Sequence, residues 1–196
     1  MLSLGYWKEK EVEINENKYS IDLSFDNVIR VFDLMKDEAF QEEERIYLAM
    51  KMFLDCDVLE KDADCNFEKL IEAFNYIKEE FLVADKEETG PVDLQGNPMP
   101  VAKSKELYSL THDADYIYAS FLQAYGMDLI DAQGELEWDK FNALLNGLPS
   151  NTKFKEVIEI RQRPFAKGKG SQEENKNLRE LKEVYKLPGH NVEEGG

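Results

Sequence analysis

The spacing of apolar residues changes its period after Leu23. Up to that point apolar and polar positions alternate on either side of a polar turn at residues 15–18, which is the pattern of a short β-hairpin. The alternating apolar positions are Val12, Ile14, Tyr19, Ile21 and Leu23. Beyond them apolar residues recur every three or four positions, which predicts amphipathic helices. The sequence therefore predicts a hairpin followed by helices.

Three helices are predicted in the remainder of the first half. The acidic stretch "DEAFQEEE" separates the first two, and Asp64 or Asn66 can cap the third. Their apolar stripes are Phe25, Val28, Ile29, Phe32 and Met35; Ile46, Ala49, Met50 and Phe53; and Phe67, Leu70, Ile71, Phe74, Ile77 and Phe81. These stripes predict a helical hairpin or bundle, so residues 1–83 are interpreted as an N-terminal lobe.

Residues 84–106 interrupt the helical pattern. Within them lie three of the six prolines and two of the eleven glycines, which oppose both helix continuation and strand pairing. We interpret this stretch as a linker or a long loop. It separates the N-terminal lobe from a C-terminal helical lobe predicted over residues 107–164.

The C-terminal lobe has helical spacing in three segments. These segments are residues 112–126, "GELEWDKFNALLNGLP" and "TKFKEVIEIRQR". Residues 165–196 are predicted to form a flexible joint, an amphipathic helix in "LRELKEVYKLP" and a frayed end. Because an isolated helix this short is marginal in water, it should dock on the body, on a second copy or on a partner. The predicted fold class is mainly α, a helical bundle in two lobes with a small N-terminal β-hairpin.

Net charge limits the partners that the protein can have. The chain carries 41 acidic and 24 basic side chains, for a net charge of −17. Such a polyanion is repelled by nucleic acid and by anionic membrane surfaces, so neither is expected as a partner. No apolar stretch approaches the ~20 residues that span a bilayer, and the N-terminus lacks the apolar run of a signal peptide. Two cysteines outside any paired motif indicate a cytosolic protein.

The segment "THDAD" offers the most suggestive cluster of polar groups. Asp113 and Asp115 are two positions apart, so on a helix they diverge by about 200° and cannot chelate one ion without ligands from elsewhere. As the start of a helix they have an ordinary explanation. Thr111 or Asp113 can cap it, and Asp115 places negative charge at the positive end of its dipole. Helix capping is therefore the favoured interpretation.

Other candidate chemistry is weaker. His112 is the only histidine outside the C-terminal tail, and no serine or cysteine lies in a nucleophile motif. Residues 62–66 begin like a calcium-binding EF-hand loop, but Phe67 replaces the glycine of the turn and Ala73 replaces the bidentate glutamate. Arg161 is interpreted as part of a counter-charge at a helix end. We predict no catalytic residue, metal or cofactor, and therefore a protein that is not an enzyme.

Partner binding is the remaining kind of site. Trp138 and Tyr185 are candidates for exposed anchors, because large amphipathic aromatics are enriched in interface hot spots. The amphipathic C-terminal helix adds an apolar side for docking. The candidate partner-binding residues are Trp138, Leu178, Leu181, Val184 and Tyr185.

Three segments within residues 113–161 carry a pattern that is found elsewhere: "DADYIYASFLQAYGMDL", "LEWDKFNALLNGLP" and "IEIR". They resemble the bacteriophage gene product fifteen family, which is encoded between the major tail protein and the tape measure protein in long-tailed phages and prophages of Gram-positive bacteria. The matching residues are Asp113, Tyr116, Ile117, Phe121, Tyr125, Gly126, Asp128, Leu129, Trp138, Phe141, Leu144, Leu145, Ile160 and Arg161. One departure is Asp139, which stands where the family has a second tryptophan after Trp138, so a surface that used that tryptophan is not carried over.

The resemblance implies a tail assembly chaperone in the host cytoplasm. Such a protein is helical and non-enzymatic, and it covers the tape measure protein until tail tube protein subunits replace it. Self-association along that client is a further implication. The alternatives are a structural tail or connector component retained in the virion, a small regulatory binding protein and, third, an enzyme.

Overall fold

The computed structural model describes residues 4–5, 9–62, 65–82, 107–168 and 171–189. These residues contain a two-stranded antiparallel sheet and eight α-helices. The strands are β1 (Glu11–Ile14) and β2 (Asn17–Ser20), and the helices are α1 (Phe25–Lys36), α2 (Glu42–Leu54), α3 (Val58–Lys61), α4 (Phe67–Ile77), α5 (Ala114–Tyr125), α6 (Trp138–Asn146), α7 (Lys153–Gln162) and α8 (Gln172–Val184). The predicted fold class, mainly α with a small N-terminal hairpin, is confirmed.

The chain forms two compact units, and both are discontinuous in sequence. The first unit contains Met1–Val101 and Ala132–Leu144, and the second contains Ala102–Asp131 and Leu145–Gly196. The sequence predicted a continuous C-terminal lobe over residues 107–164, whereas residues 132–144 group with the first unit. The predicted linker at residues 84–106 lies outside the described residues.

The hairpin turns more tightly than its polar residues suggested. Asn15 and Glu16 alone form the turn, with φ angles of 51° and 64°, and Asn17 and Lys18 already belong to β2. Two successive residues with positive φ are typical of two-residue hairpin turns, because their twist matches that of the strands. The apolar residues of the pattern are buried as expected, apart from the half-buried Tyr19.

Polar side chains join the helices of the first unit. Asn27 is buried on α1, and its amide donates to the carbonyl oxygens of Asp22 and Met52, each at 3.0 Å. Asn66 caps α4 by accepting from the backbone N–H of Lys69 at 3.0 Å, which confirms one of its two predicted caps. The Asn27 bonds hold the first turn of α1 against the last turn of α2, and the Asn66 bond satisfies a backbone N–H in the first turn of α4.

An aromatic cluster explains why residues 132–144 belong to the first unit. We define the aromatic cluster as Phe25, Phe32, Trp138 and Phe141. Phe25 stacks on Phe141 with ring centroids 4.9 Å apart, and Phe32 meets Trp138 edge to face at 5.4 Å. Backbone bonds from Phe25 to Leu136 and from Trp138 to Leu23 hold the two segments together. Residues 132–144 therefore group with the first unit, on whose rings they pack, although the residues before and after them in the chain belong to the second unit.

In the second unit, α7 packs against both α5 and α8. Ser120 of α5 is fully buried where α5 and α7 meet. Its hydroxyl donates to the Tyr116 carbonyl at 2.6 Å and accepts from the backbone N–H of Phe154 at 3.0 Å. The first turn of α7 is therefore held against the middle of α5. Helix α5 ends at Gly126, whose φ of 63° suits glycine.

Candidate partner-binding surfaces

Helix α8 buries only part of its apolar side. Leu178 is buried, and so is Leu187 just after the helix. Leu181 is 41% exposed and Val184 is 72% exposed. Because residues three apart lie on the same helical face, these two side chains form one small apolar surface. We call Leu181 and Val184 the α8 face, and they are the two predicted binding residues that reach solvent most fully.

Tyr185 fixes the end of α8. Its ring meets Tyr116 of α5 edge to face at 5.9 Å, and its hydroxyl accepts a hydrogen bond from the Lys153 ammonium group at 2.8 Å. This bond is the main reason why the pKa of Lys153 is raised. The partly buried Tyr185 side chain thus makes its contacts within the second unit, where it docks the end of α8.

Asp113 forms an ion pair with Arg161 and does not cap its helix. Asp113 occupies the N-cap position of α5, but its side chain makes no capping hydrogen bond. Its two oxygens accept from the two terminal nitrogens of Arg161 at 2.7 and 2.8 Å. Asp113 is fully buried and the Arg161 side chain is 9% exposed. The predicted capping role of Asp113 is therefore wrong, because a buried guanidinium competes successfully for the same oxygens.

The remaining donors of Arg161 reach two other segments. One terminal nitrogen also donates to the Leu107 carbonyl at 3.0 Å, and Nε donates to the Tyr185 carbonyl at 2.6 Å. Lys182 in turn donates to the backbone carbonyl of Arg161 at 3.1 Å. Arg161 was predicted to be a counter-charge at a helix end. In the structure it is the residue that ties the segment before α5 and the end of α8 to α7.

The described part of the predicted flexible joint is bound to α8. Asn175 accepts from the backbone N–H of Ala166 and donates to the carbonyl of the same residue, at 2.8 and 2.9 Å. Arg179 and Lys182 lie over the ring of Phe165, at 5.6 and 5.2 Å from its centroid. Side chains of the following helix thus satisfy backbone groups of this segment, and the flexibility of the joint stays a prediction.

Trp138 is not an exposed anchor. It is 7% exposed and belongs to the aromatic cluster of the first unit. The hypothesis of an exposed tryptophan is therefore wrong, since the side chain is used to bury residues 132–144. Leu178 is likewise buried and docks α8.

A second apolar surface lies at the end of α5. Leu122 and Tyr125 are one turn apart and are 46% and 37% exposed, and Ile130 in the following turn is 64% exposed. The Tyr118 hydroxyl donates to Asp128 at 2.9 Å and so fixes this turn. The helical spacing of residues 112–126 puts Leu122 and Tyr125 on the same apolar stripe as the buried Ile117 and Phe121. Leu122 lies at the outer edge of that stripe and Tyr125 is the last residue of α5, and these positions are the signals that could have marked them.

The described part of the chain contains neither a candidate metal-binding cluster nor a candidate membrane-spanning helix. No group of three or more His, Cys, Asp or Glu side chains there could hold a metal ion. The same residues contain no helix with the length and apolar character needed to cross a bilayer. His112 is exposed, and its backbone N–H donates to the Ser109 hydroxyl at 3.1 Å.

Fold and surfaces together define an acidic, mainly α-helical protein with apolar side chains exposed on two docked helices. The chain belongs to the family described as Bacteriophage Gp15 protein, whose model matches residues 8–187. It is therefore a phage-related protein, as the resemblance implied. No curated protein and no solved structure matches the chain. Several residues that carry the resemblance have structural roles, including the Asp113–Arg161 pair, Gly126 and Trp138.

Proposed function

We propose that this protein is a phage tail assembly chaperone. It binds the tape measure protein in the host cytoplasm and is released when tail tube protein assembles around that client. It acts through binding alone, without catalysis. Membership of the phage family supports the setting. The observation that carries the binding role is the α8 face, which stays exposed although α8 itself is docked.

The α8 face suits a helical client. Leu181 and Val184 present an apolar strip about one turn long, and such strips bind the apolar side of another amphipathic helix. Arg161 and Tyr185 hold α8 in place before any client arrives, so little ordering entropy is lost on binding. A strip this small gives weak binding at each contact. Weak contacts permit the client to be handed over to tail tube subunits.

Co-expression with the tape measure protein of the same phage or prophage tests the proposal. We expect the wild-type protein to co-purify with the tape measure protein and to keep it in the soluble fraction. Replacing both residues of the α8 face, Leu181→Ser and Val184→Ser, should abolish most of that recovery. The two side chains are exposed, so the variant should keep the helical circular dichroism of the wild type.

The matched control replaces two exposed polar residues of the same helix, Gln172→Ser and Asn177→Ser, and should leave recovery unchanged. Equal recovery with both double variants would contradict the role of the α8 face. Stoichiometric protein in purified virions would contradict a transient chaperone. That result would favour a structural tail or connector component. Recovery of no tape measure protein at all would leave the regulatory alternative as the better explanation.

A further inference from the structure

A groove runs along strand β1 in the first unit. Its volume is about 660 Å³, and one wall is formed by consecutive residues of and around the strand, while α4 forms the other. Alternate residues of a strand point to opposite faces of a sheet. A groove lined by Glu11, Val12, Glu13 and Ile14 together must therefore follow the edge of β1, since neither face presents all four.

The edge of β1 carries main-chain groups available for pairing. Ile21 donates to the carbonyl of Lys10, and in an antiparallel ladder the hydrogen-bonded pairs recur at every second residue. The N–H and C=O groups of Val12 and Ile14 consequently face β2, and those of Glu11 and Glu13 face the opposite edge. Among the described residues no hydrogen bond to these outward groups of Glu11 and Glu13 is present. These four main-chain groups, two N–H donors and two C=O acceptors, are thus available to pair with an added strand.

The charge of the groove is negative. Glu9, Glu11, Glu13 and Glu72 line it, against Lys18 and Lys69. The pKa of Lys18 is raised, first by its hydrogen bond to Glu11 and also by the charges of Glu9 and Glu13, so the surroundings stabilise a cation. On the α4 wall, Ala73 is buried and Tyr76 is 47% exposed, which adds an apolar contact surface.

We propose that this groove binds an extended segment of another protein in which lysine or arginine alternates with apolar residues. The segment pairs with the edge of β1 as an added strand. Its basic side chains lie on the side of Glu11 and Glu13, and its apolar side chains lie on the side of Ala73 and Tyr76. This is strand addition to an open sheet edge, in which main-chain bonds give affinity and alternate side chains give specificity.

The acidic lining favours such a partner over a second copy of this chain. Pairing β1 with its own copy would place Glu11 and Glu13 close to the same residues of the other copy, and like charges directly opposite on strands are destabilising. The proposal is independent of the client of the α8 face, because it concerns residues of the first unit alone.

Fluorescence anisotropy with a labelled peptide of alternating lysine and valine tests the proposal on the full-length protein. We expect binding that weakens with added salt. A peptide methylated on the backbone nitrogens of alternate residues loses the strand donors and should bind at least about tenfold more weakly. A peptide of alternating glutamate and valine should not bind. Equal binding of the methylated peptide would overturn strand addition, and equal binding of the glutamate peptide would overturn the charge preference.

Two pairs of variants locate the site. Glu13→Pro removes an outward N–H from β1 and should weaken binding about tenfold, whereas Ser20→Pro removes an outward N–H from β2 and should not. Glu72→Lys changes the groove without touching the strand and should weaken binding roughly three- to tenfold. Its matched control is Glu38→Lys, an exposed residue outside the groove with the same change of charge. Equal affinity of Glu72→Lys and Glu38→Lys would overturn the assignment to this groove, even if Glu13→Pro failed to fold.

Discussion

At the scale of single residues, the Asp113–Arg161 pair is the most consequential feature of the second unit. A buried ion pair gains little over a well-packed apolar pair, but losing one partner leaves a buried charge without compensation. Here the guanidinium also donates to two backbone carbonyls, and Asp113 accepts from the backbone N–H of Ser109 at 3.0 Å. The pair therefore links three segments, because Asp113 and Arg161 together bond to the segment before α5, to α7 and to the end of α8.

Replacing Arg161 should be much more costly than replacing its neighbour Arg163. Arg161→Met leaves the Asp113 carboxylate buried and unpaired, and we expect the free energy of unfolding to fall by about 3 kcal/mol. Arg161→Lys keeps the charge but loses the two-pronged geometry, so an intermediate loss is expected. Urea denaturation followed by circular dichroism measures both changes, and hydrogen exchange should localise them to α5 and α7.

Arg163→Met is the matched control, because Arg163 pairs with Glu159 on the surface. Its cost should be below about 1 kcal/mol. Similar losses for Arg161→Met and Arg163→Met would contradict the special role of the buried pair.

The hydrogen bond between Tyr118 and Asp128 should make stability depend on pH in two directions. It lowers the pKa of Asp128 from the ordinary 3.8 and raises the pKa of Tyr118 from the ordinary 10.0. The lowered carboxyl pKa gives stability that is present above pH 3.8 and is lost as pH falls through the native value. The raised phenol pKa gives stability that is present below pH 10.0 and is lost as pH rises through the native value.

Tyr118→Phe therefore should lower the free energy of unfolding most between these two limits. The difference from wild type should shrink toward both acid and alkaline pH, because the bond is lost from the wild type there. Tyr76→Phe, at an exposed tyrosine, is the control. A difference for Tyr118→Phe that stays constant across the whole pH range would show that the bond is not responsible.

At the scale of elements, the sequence predicted the hairpin and the helices, because both depend on the periodic spacing of apolar residues. Alternation around Asn15 marked the hairpin, and three- and four-residue spacing marked the helices from Phe25 onward. It could not predict which oxygens Asp113 would use, because Arg161 is 48 positions away and capping is a local pattern. Nor did it predict that Asn175 would hold Ala166, since a polar segment gives no periodic signal. Leu181 and Val184 were among the candidate partner-binding residues named from the sequence, and their role in binding stays a prediction.

Asn175 should protect the segment before α8 from proteolysis. Its side chain makes both a donated and an accepted bond to Ala166, and each such bond contributes about 1 kcal/mol. Asn175→Ala should therefore raise the rate of tryptic cleavage after Lys167, by roughly tenfold if local opening limits cleavage. Mass spectrometry of timed digests measures this rate. The control is Asn177→Ala, an exposed position two residues along, and an equal rate for the two variants would contradict the proposed clamp.

At the scale of the whole molecule, the two compact units do not follow the predicted lobe boundary, because a segment from the C-terminal half of the chain belongs to the first unit. The chain enters the second unit, returns to the first for Ala132–Leu144 and then continues in the second. Phe25 and Phe32 supply half of the aromatic cluster, and Trp138 and Phe141 supply the other half. Because each half of the cluster packs against the other, we expect that a cut at the predicted linker does not give two self-sufficient domains.

Tryptophan fluorescence of a fragment containing residues 107–196 measures this dependence. The fragment has Trp138 as its only tryptophan, and the full chain with Trp7→Phe provides a matched reference. Trp138 is 7% exposed in the full chain, so its emission should lie toward the blue there. The fragment lacks Phe32, Phe25 and the Leu23 carbonyl that accepts from the Trp138 backbone N–H. Its emission should shift to the red, with stronger quenching by acrylamide, because the indole is no longer covered.

Phe32→Ala in the full chain should give a smaller shift in the same direction, since it removes one covering ring and keeps the backbone bonds. Blue emission from the fragment would instead mean that residues 132–144 bury their tryptophan without the first unit.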